Sequence, residues 1–231
     1  MRIEIAGENA LIIYFGDKAD PLTSAKVQQA VTVLETELAD KLIDMVPSYA
    51  SLLVIYDMLV CDHLEIFSQI RKLLCQLENT EETEGTLVTL PAYYSTKSGP
   101  DLEALAQRAH LSVEEVIQIH SEMEYRVYAI GFAPGFAYLG EVDPRIATPR
   151  LSTPRLKVPK GAVAIADRQT AVYPAVSPGG WNLIALCPTP MFTPDKVPNM
   201  PVKVGDRIRF QPISRERYLE LGGELVEVGC D

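Results

Sequence analysis

No long helix can run between Tyr128 and Trp181. Pro134, Pro149, Pro154, Pro159, Pro174 and Pro178 lock φ and remove backbone donors along that stretch. Gly135, Gly179 and Gly180 add backbone shapes that a Cβ would block. The stretch therefore reads as loops and short strands. It also carries Phe132, Phe136, Tyr138, Tyr173 and Trp181, and the cations Arg145, Arg150, Arg155, Lys157, Lys160 and Arg168. Rigid apolar faces beside positive charge, on loops held by a scaffold, are the makings of a binding site.

The cations stand out because the chain is acidic. Its 231 residues carry a net charge of −10, with a pI near 4.9. Residues 1–85 hold 15 acids and 6 bases, and residues 86–231 hold 16 acids and 15 bases. An acidic first part argues against nucleic acid or an anionic membrane surface as a partner. The basic run after Asp143 is local and suits a small anionic ligand. A hydrophobic content of 47% is enough for a packed core. Cys61, Cys75, Cys187 and Cys230 form no CxxC pair, so neither a disulfide frame nor a zinc finger is expected. No apolar run reaches the ~20 residues that span a bilayer. The N-terminus lacks a basic region followed by a cleavage site, so the expected location is cytoplasmic.

Strands are expected at Arg2–Ile5, Leu11–Phe15, Asp40–Val46 and Ser51–Tyr56, with Pro47 breaking the third. Asp20-Pro21 opens one helix, with apolar residues from Leu22 to Leu38 at near-helical spacing. Asp62 caps a second, with Leu64, Phe67, Ile70, Leu73, Leu74 and Leu77 as its apolar stripe. The acidic stretch Asn79–Gly85 reads as a linker. Residues 1–85 thus suggest a small α+β sandwich of ferredoxin-like type. After Gly85 the texture changes. A strand at Thr86–Tyr94 precedes helices at Asp101–Arg108 and Val113–Met123, capped by Asp101 and Ser112. Short strands follow at Tyr125–Ile130, Ala162–Ala166, Thr170–Tyr173, Trp181–Cys187 and Arg207–Pro212, which suggests a small barrel over residues 86–231.

Familiar catalytic motifs are missing. Pro159-Lys160-Gly161 lacks phosphate-loop spacing, His63, His110 and His120 form no HExxH, and there is no G-x-S-x-G elbow. His120 lies near the end of a predicted helix, where it either satisfies terminal carbonyls or moves protons. Arg155 and Lys157 point the same way if their segment is extended. Two cations on one face suit a phosphate or carboxylate, with Arg150 and Lys160 nearby. Gln169-Thr170 and Ser177-Pro178-Gly179-Gly180 offer neutral donors and exposed backbone N–H groups for an oxyanion. Phe132, Phe136, Tyr138 and Trp181 could wall a pocket, with core packing expected for at least two of them; Pro134, Gly135 and Tyr173 are further binding candidates.

GFAPGFAYLG, TPR–TPR–VPKGAVAIA, QTAVYP and SPGGW resemble the signature of the B subunit of the bacterial ATP-dependent 5-oxoprolinase, also called the allophanate hydrolase subunit 1 or KipI family. The resemblance runs from GENALIIYFGD at Gly7 to VKVGDRIRFQPI ending at Ile213. It implies a cyclophilin-like barrel and ATP-driven opening of 5-oxo-L-proline to L-glutamate, with ATP as co-substrate. It implies the A and C subunits as partners, inactivity of this chain alone, and a site completed by C. His120, Arg155, Lys157 and Gln169 then become the candidate catalytic groups. Magnesium is expected wherever ATP reacts, although no ligand set is visible. The family's other name implies a second reading, inhibition of a sensor histidine kinase, and fused relatives imply a third, a carboxyltransferase-like role. Asp167-Arg168 and Ala171 stand where the family carries glycines.

Overall fold

A computed structural model of the chain describes residues 1–18, 20–75 and 85–225. It divides into two compact units, Met1–Gly85 and Thr86–Asp231. The linker expected at Asn79–Gly85 lies outside the described residues except for Gly85.

The first unit begins with the hairpin β1 (Arg2–Gly7) and β2 (Ala10–Tyr14), followed by α1 (Pro21–Glu37), β3 (Leu42–Pro47), β4 (Ser51–Tyr56) and α2 (His63–Leu74). The four strands form one antiparallel sheet in the order β1-β2-β4-β3. Strict alternation puts Leu11, Ile13, Leu52, Val54 and Tyr56 on the buried face. Val27, Ala30 and Leu34 of α1 and Ile66, Ile70 and Leu74 of α2 complete that core. Asp20 caps α1 by accepting from Thr23 N at 2.8 Å, and Asp62 caps α2 by accepting from Glu65 N at 2.8 Å. Pro47 is the last paired residue of β3, where the strand stops as expected, a place that an edge strand tolerates. One sequence expectation needs correction. Ile66 and not Leu64 faces the core; Leu64 is 79% exposed, because the apolar stripe starts later in the first turn.

The second unit contains β5 (Leu87–Tyr94), α3 (Leu102–Ala109), α4 (Val113–Glu122), β6 (Glu124–Ile130), β7 (Ala137–Gly140), β8 (Arg155–Val158), β9 (Ala162–Ala166), β10 (Gln169–Val172), β11 (Ser177–Gly179), β12 (Asn182–Leu186), β13 (Arg207–Pro212) and α5 (Arg215–Glu220). Seven strands close a barrel in the order β10-β7-β6-β13-β5-β12-β9, and β8 with β11 makes a separate two-stranded sheet. Pairing is antiparallel except between β13 and β5. Pro91 sits in β5 where β12 does not pair, since β12 meets β5 only at Tyr93 and Tyr94. The missing N–H therefore costs no ladder bond there.

β9 explains why both barrel faces are dry on this side. Val163 and Ile165 point into the barrel with Val172 and Ile184, while Ala162, Ala164 and Ala166 point out. All five residues of β9 are buried, because Phe136, Val158, Tyr173, Trp181 and Tyr218 cover the outer face. Leu102 and Leu105 of α3 and Val116 of α4 pack into the inner cluster. Ser112 and Glu115 form the capping box that starts α4. The two-residue turn from β9 to β10 holds Asp167 at φ 52. The aspartate thus takes up a left-handed backbone, a conformation Asp tolerates better than most residues.

Candidate functional site

A cavity of about 1110 Å³ lies in the second unit. One wall is the proline-stiffened run Thr153–Lys157 and Pro159–Gly161; another is Tyr218 and the segment Leu221–Glu224 that follows α5. Tyr173 and Met191 supply apolar lining. The fold shapes this lining by close approach. A Cβ on Gly179 would lie 2.4 Å from the Tyr173 hydroxyl, so the glycine lets the ring sit against β11. Burial pushes the Tyr173 phenol up to about 12 and the Cys187 thiol, also in the lining, up to about 11.

Among the predicted site residues, Arg155, Lys157 and Tyr173 line this cavity, and Lys160 joins them. Lys157 and Lys160 are exposed, and among the described residues neither takes part in an ion pair. The other cations are engaged. Arg145 pairs with Asp143 at 2.8 Å and Arg168 with Glu141 at 2.7 Å, and Arg150 stands 5.8 Å over the Trp181 ring. Arg155 donates from Nη2 to Asp101 Oδ1 at 2.7 Å. Asp101 therefore does not cap α3 with its side chain, contrary to expectation. Its carboxylate spans Arg155 and the Leu183 N–H of β12, at 2.7 Å each.

Other candidates lie elsewhere. Gln169 pairs with Gly140 and Ala166 at the start of β10 and does not line the cavity. The expected trio of Arg155, Lys157 and Gln169 is thus not assembled in one place. Phe132, Pro134 and Gly135 wall a second opening of about 440 Å³ with Phe192 and Met200. Phe136 and Trp181 are 2% and 5% exposed and meet edge to face with centroids 5.7 Å apart, so they belong to the outer core. Tyr138 packs against Phe136 at 4.9 Å. Ser177 and Gly179 are strand partners of Val158 and Arg155, and Gly180 O accepts from Leu151 N at 2.7 Å. Ser-Pro-Gly-Gly therefore braces the cationic strand.

His120 is the clearest correction. It is fully buried in the barrel interior, stacked on Phe210 at 4.8 Å. Nδ1 lies 2.7 Å from the Tyr94 hydroxyl and Nε2 lies 3.0 Å from Thr170 Oγ1. Burial drives its pKa down to about 3. Both ring nitrogens are occupied and the residue does not line the cavity, so its place is structural. Thr170, fully buried, shares that role.

Sequence reasoning missed Tyr218 and the α5 wall. Ser214 was the available signal, since it accepts from Arg217 N at 3.2 Å as the helix cap. Among the described residues no three His, Cys, Asp or Glu side chains converge to hold a metal ion, and no helix is long and apolar enough to cross a membrane.

Residues 1–202 match the family model for the carboxyltransferase domain, subdomain C and D. The chain is 38% identical over 227 residues to the B subunit of 5-oxoprolinase from Bacillus subtilis (strain 168), covering 94% of this chain and 95% of that protein. It is 33% identical over 218 residues to the B subunit of 5-oxoprolinase from Escherichia coli O157:H7, covering 91% and 95%. The solved structure of TTHA0988 superposes with a TM-score of 0.79 at 32% identity over 89% of this chain, which spans 40% of that longer one. The conserved uncharacterized protein PH0987 from Pyrococcus horikoshii is 44% identical, with a TM-score of 0.57 over 94% of this chain and 100% of its own. Kluyveromyces lactis urea carboxylase, at 15% identity and a TM-score of 0.73 over 93% of this chain and 22% of its own, shares the fold. The chain belongs to the carboxyltransferase subdomain C and D family, in the branch formed by the B subunits of 5-oxoprolinase.

Proposed function

We propose that the chain is the B subunit of an ATP-dependent 5-oxoprolinase that opens 5-oxo-L-proline to L-glutamate. The observation that carries this reading is the pair of cations Lys157 and Lys160, without ion-pair partners among the described residues, on the rim of a cavity with apolar lining from Tyr173 and Met191. Its substrates are anions: a carboxylate on a small ring, and a nucleoside triphosphate. A lactam carbonyl is a poor electrophile. Transfer of the γ-phosphoryl group to its oxygen, with release of ADP, makes the ring carbon open to water. Water adds to that carbon and the ring C–N bond breaks to free the amine, which leaves an acyl phosphate; a second water hydrolyses it to phosphate and the glutamate carboxylate.

Positioned cations stabilise the charge on the transferring group, and this is most of what a protein contributes to such a step. Lys157 and Lys160 are placed to do so at the cavity rim. Arg155, tied to Asp101, stands behind them. The nucleotide's magnesium travels on its phosphates in this reading. The relatives' shared designation as B subunits points to a complex. The A and C subunits complete it, with C closing over the cavity. The first unit is read as ferredoxin-like from its order β2-α1-β3-β4-α2, with β1 in the remaining edge place.

Reconstitution tests this. The chain is combined with the A and C subunits, and glutamate release from 5-oxo-L-proline with ATP is measured. Turnover requires all three. Undiminished turnover without this chain overturns the reading.

A further inference from the structure

Strand β8 brings Lys157 to the cavity, yet it is not a barrel strand. Among the described residues its sheet neighbour is β11 alone. Its N-terminal end is held by Arg155. The Arg155–Asp101 pair is largely covered, with side-chain exposures of 19% and 13%. Asp101 is in turn fixed to the barrel: its N–H donates to Leu183 O at 3.1 Å, and its Oδ2 accepts from Leu183 N at 2.7 Å. The turn leading into it is pressed against β12. A Cβ on Gly99 would lie 2.2 Å from the Ile184 carbonyl carbon, so glycine is what allows Asp101 to reach. Ser98 Oγ, by donating to Tyr93 O at 3.0 Å, ties the same turn to β5.

The carboxylate is thus a bridge from the closed barrel to the detached cationic strand. Without it a covered guanidinium would lose its counter-charge, an arrangement that drives rearrangement of the strand around it. Arg155 Nη1 is already enclosed with no acceptor among the described residues. The guanidinium therefore depends on Asp101 to stay where it is.

We infer that Asp101 is a positioning residue for the anion site: through Arg155 it sets β8 so that Lys157 meets an oxyanion, phosphate or carboxylate, in the cavity. This rests on the reading of that cavity as the anion site. Arg155 works as a strut, and Lys157 with Lys160 delivers the charge.

The test uses the reconstituted three-subunit complex. Asp101→Asn keeps an amide oxygen for the Leu183 N–H but offers Arg155 no charge. The expected result is a rise of about tenfold in KM for ATP or for 5-oxo-L-proline, with kcat largely retained. Arg155→Gln should reproduce it. The double variant Asp101→Asn/Arg155→Gln should be no worse than Arg155→Gln alone, because the two residues act in series. Should Asp101→Asn fail to fold, Arg155→Gln carries the same KM readout. A lowered melting temperature with both KM values unchanged, in whichever single variant folds, overturns the inference, as does a double variant whose effects multiply. Lys157→Gln separates the two levels. If it raises KM while the Asp101 and Arg155 variants do not, the positioning role alone falls. If it too leaves both KM values unchanged, the anion-site reading falls and takes the inference with it.

Discussion

Thr170 decides which nitrogen of His120 carries the proton. The Thr170 hydroxyl donates to the Ala164 carbonyl at 3.0 Å, so it can only accept from His120 Nε2 at 3.0 Å. Nε2 is therefore protonated. Nδ1 of the neutral ring then accepts from the Tyr94 hydroxyl at 2.7 Å. One chain of hydrogen bonds runs from β5 through α4 to β10 and β9, and it uses both nitrogens of the ring.

That geometry predicts an acid sensitivity. His120 titrates at about 3 when folded, against about 6.5 in the unfolded chain. Between those values the unfolded state binds a proton that the folded state refuses. Stability contributed by neutral His120 is complete above pH 6.5 and is lost as pH falls toward 3, by roughly 5 kcal/mol in all. Urea unfolding from pH 7 to pH 4 should show His120→Gln less stable at neutral pH but with a flatter decline. A decline parallel to the parent chain would refute the assignment.

The two rim lysines should separate stability from binding. Lys157→Gln and Lys160→Gln remove exposed charges, and each is expected to change unfolding free energy by less than about 0.5 kcal/mol. In the assembled enzyme each should raise KM for an anionic substrate about tenfold, equal to about 1.4 kcal/mol. Steady-state kinetics beside a melting curve measures both.

Gly99 should be intolerant of a methyl group. The added Cβ would sit 2.2 Å from backbone atoms of Ile184, and Gly99→Ala is expected to cost about 2–3 kcal/mol. Gly131 has nothing within 4 Å of a built Cβ, so Gly131→Ala should cost far less. Equal melting temperatures for the two variants would contradict the close approach.

Gly179→Ala should lift Tyr173 out of its bed. The new Cβ would meet the hydroxyl at 2.4 Å, and the ring lines the cavity. Exposure would bring the Tyr173 phenol down from about 12 toward the ordinary value near 10. An absorbance titration of the tyrosinates checks this, with Tyr173→Phe subtracted. An unchanged titration would mean that the ring has not moved.

Alternation in ALIIY and SLLVIY was enough to place Leu11, Ile13, Leu52 and Val54 in a core, because the side-chain period of a strand is local. Asp20, Asp62 and Ser112 announced helix starts for the same reason: a cap bonds a residue three positions away. The proline-rich run carrying Arg155 and Lys157 was legible as extended, and both side chains do line one cavity. Short strands such as β7 and β11 were not legible, since runs of three or four residues carry too little periodicity.

What spacing could not reveal is who neutralises whom. Asp101 and Arg155 stand 54 positions apart, and His120 and Thr170 stand 50 apart. Closing a barrel makes neighbours of such residues. The same closure turned a cap into a counter-ion, sealed a histidine in the interior, and left two rim lysines without ion-pair partners among the described residues. Local chemistry is written along the chain, but burial and pairing depend on which distant strands lie side by side.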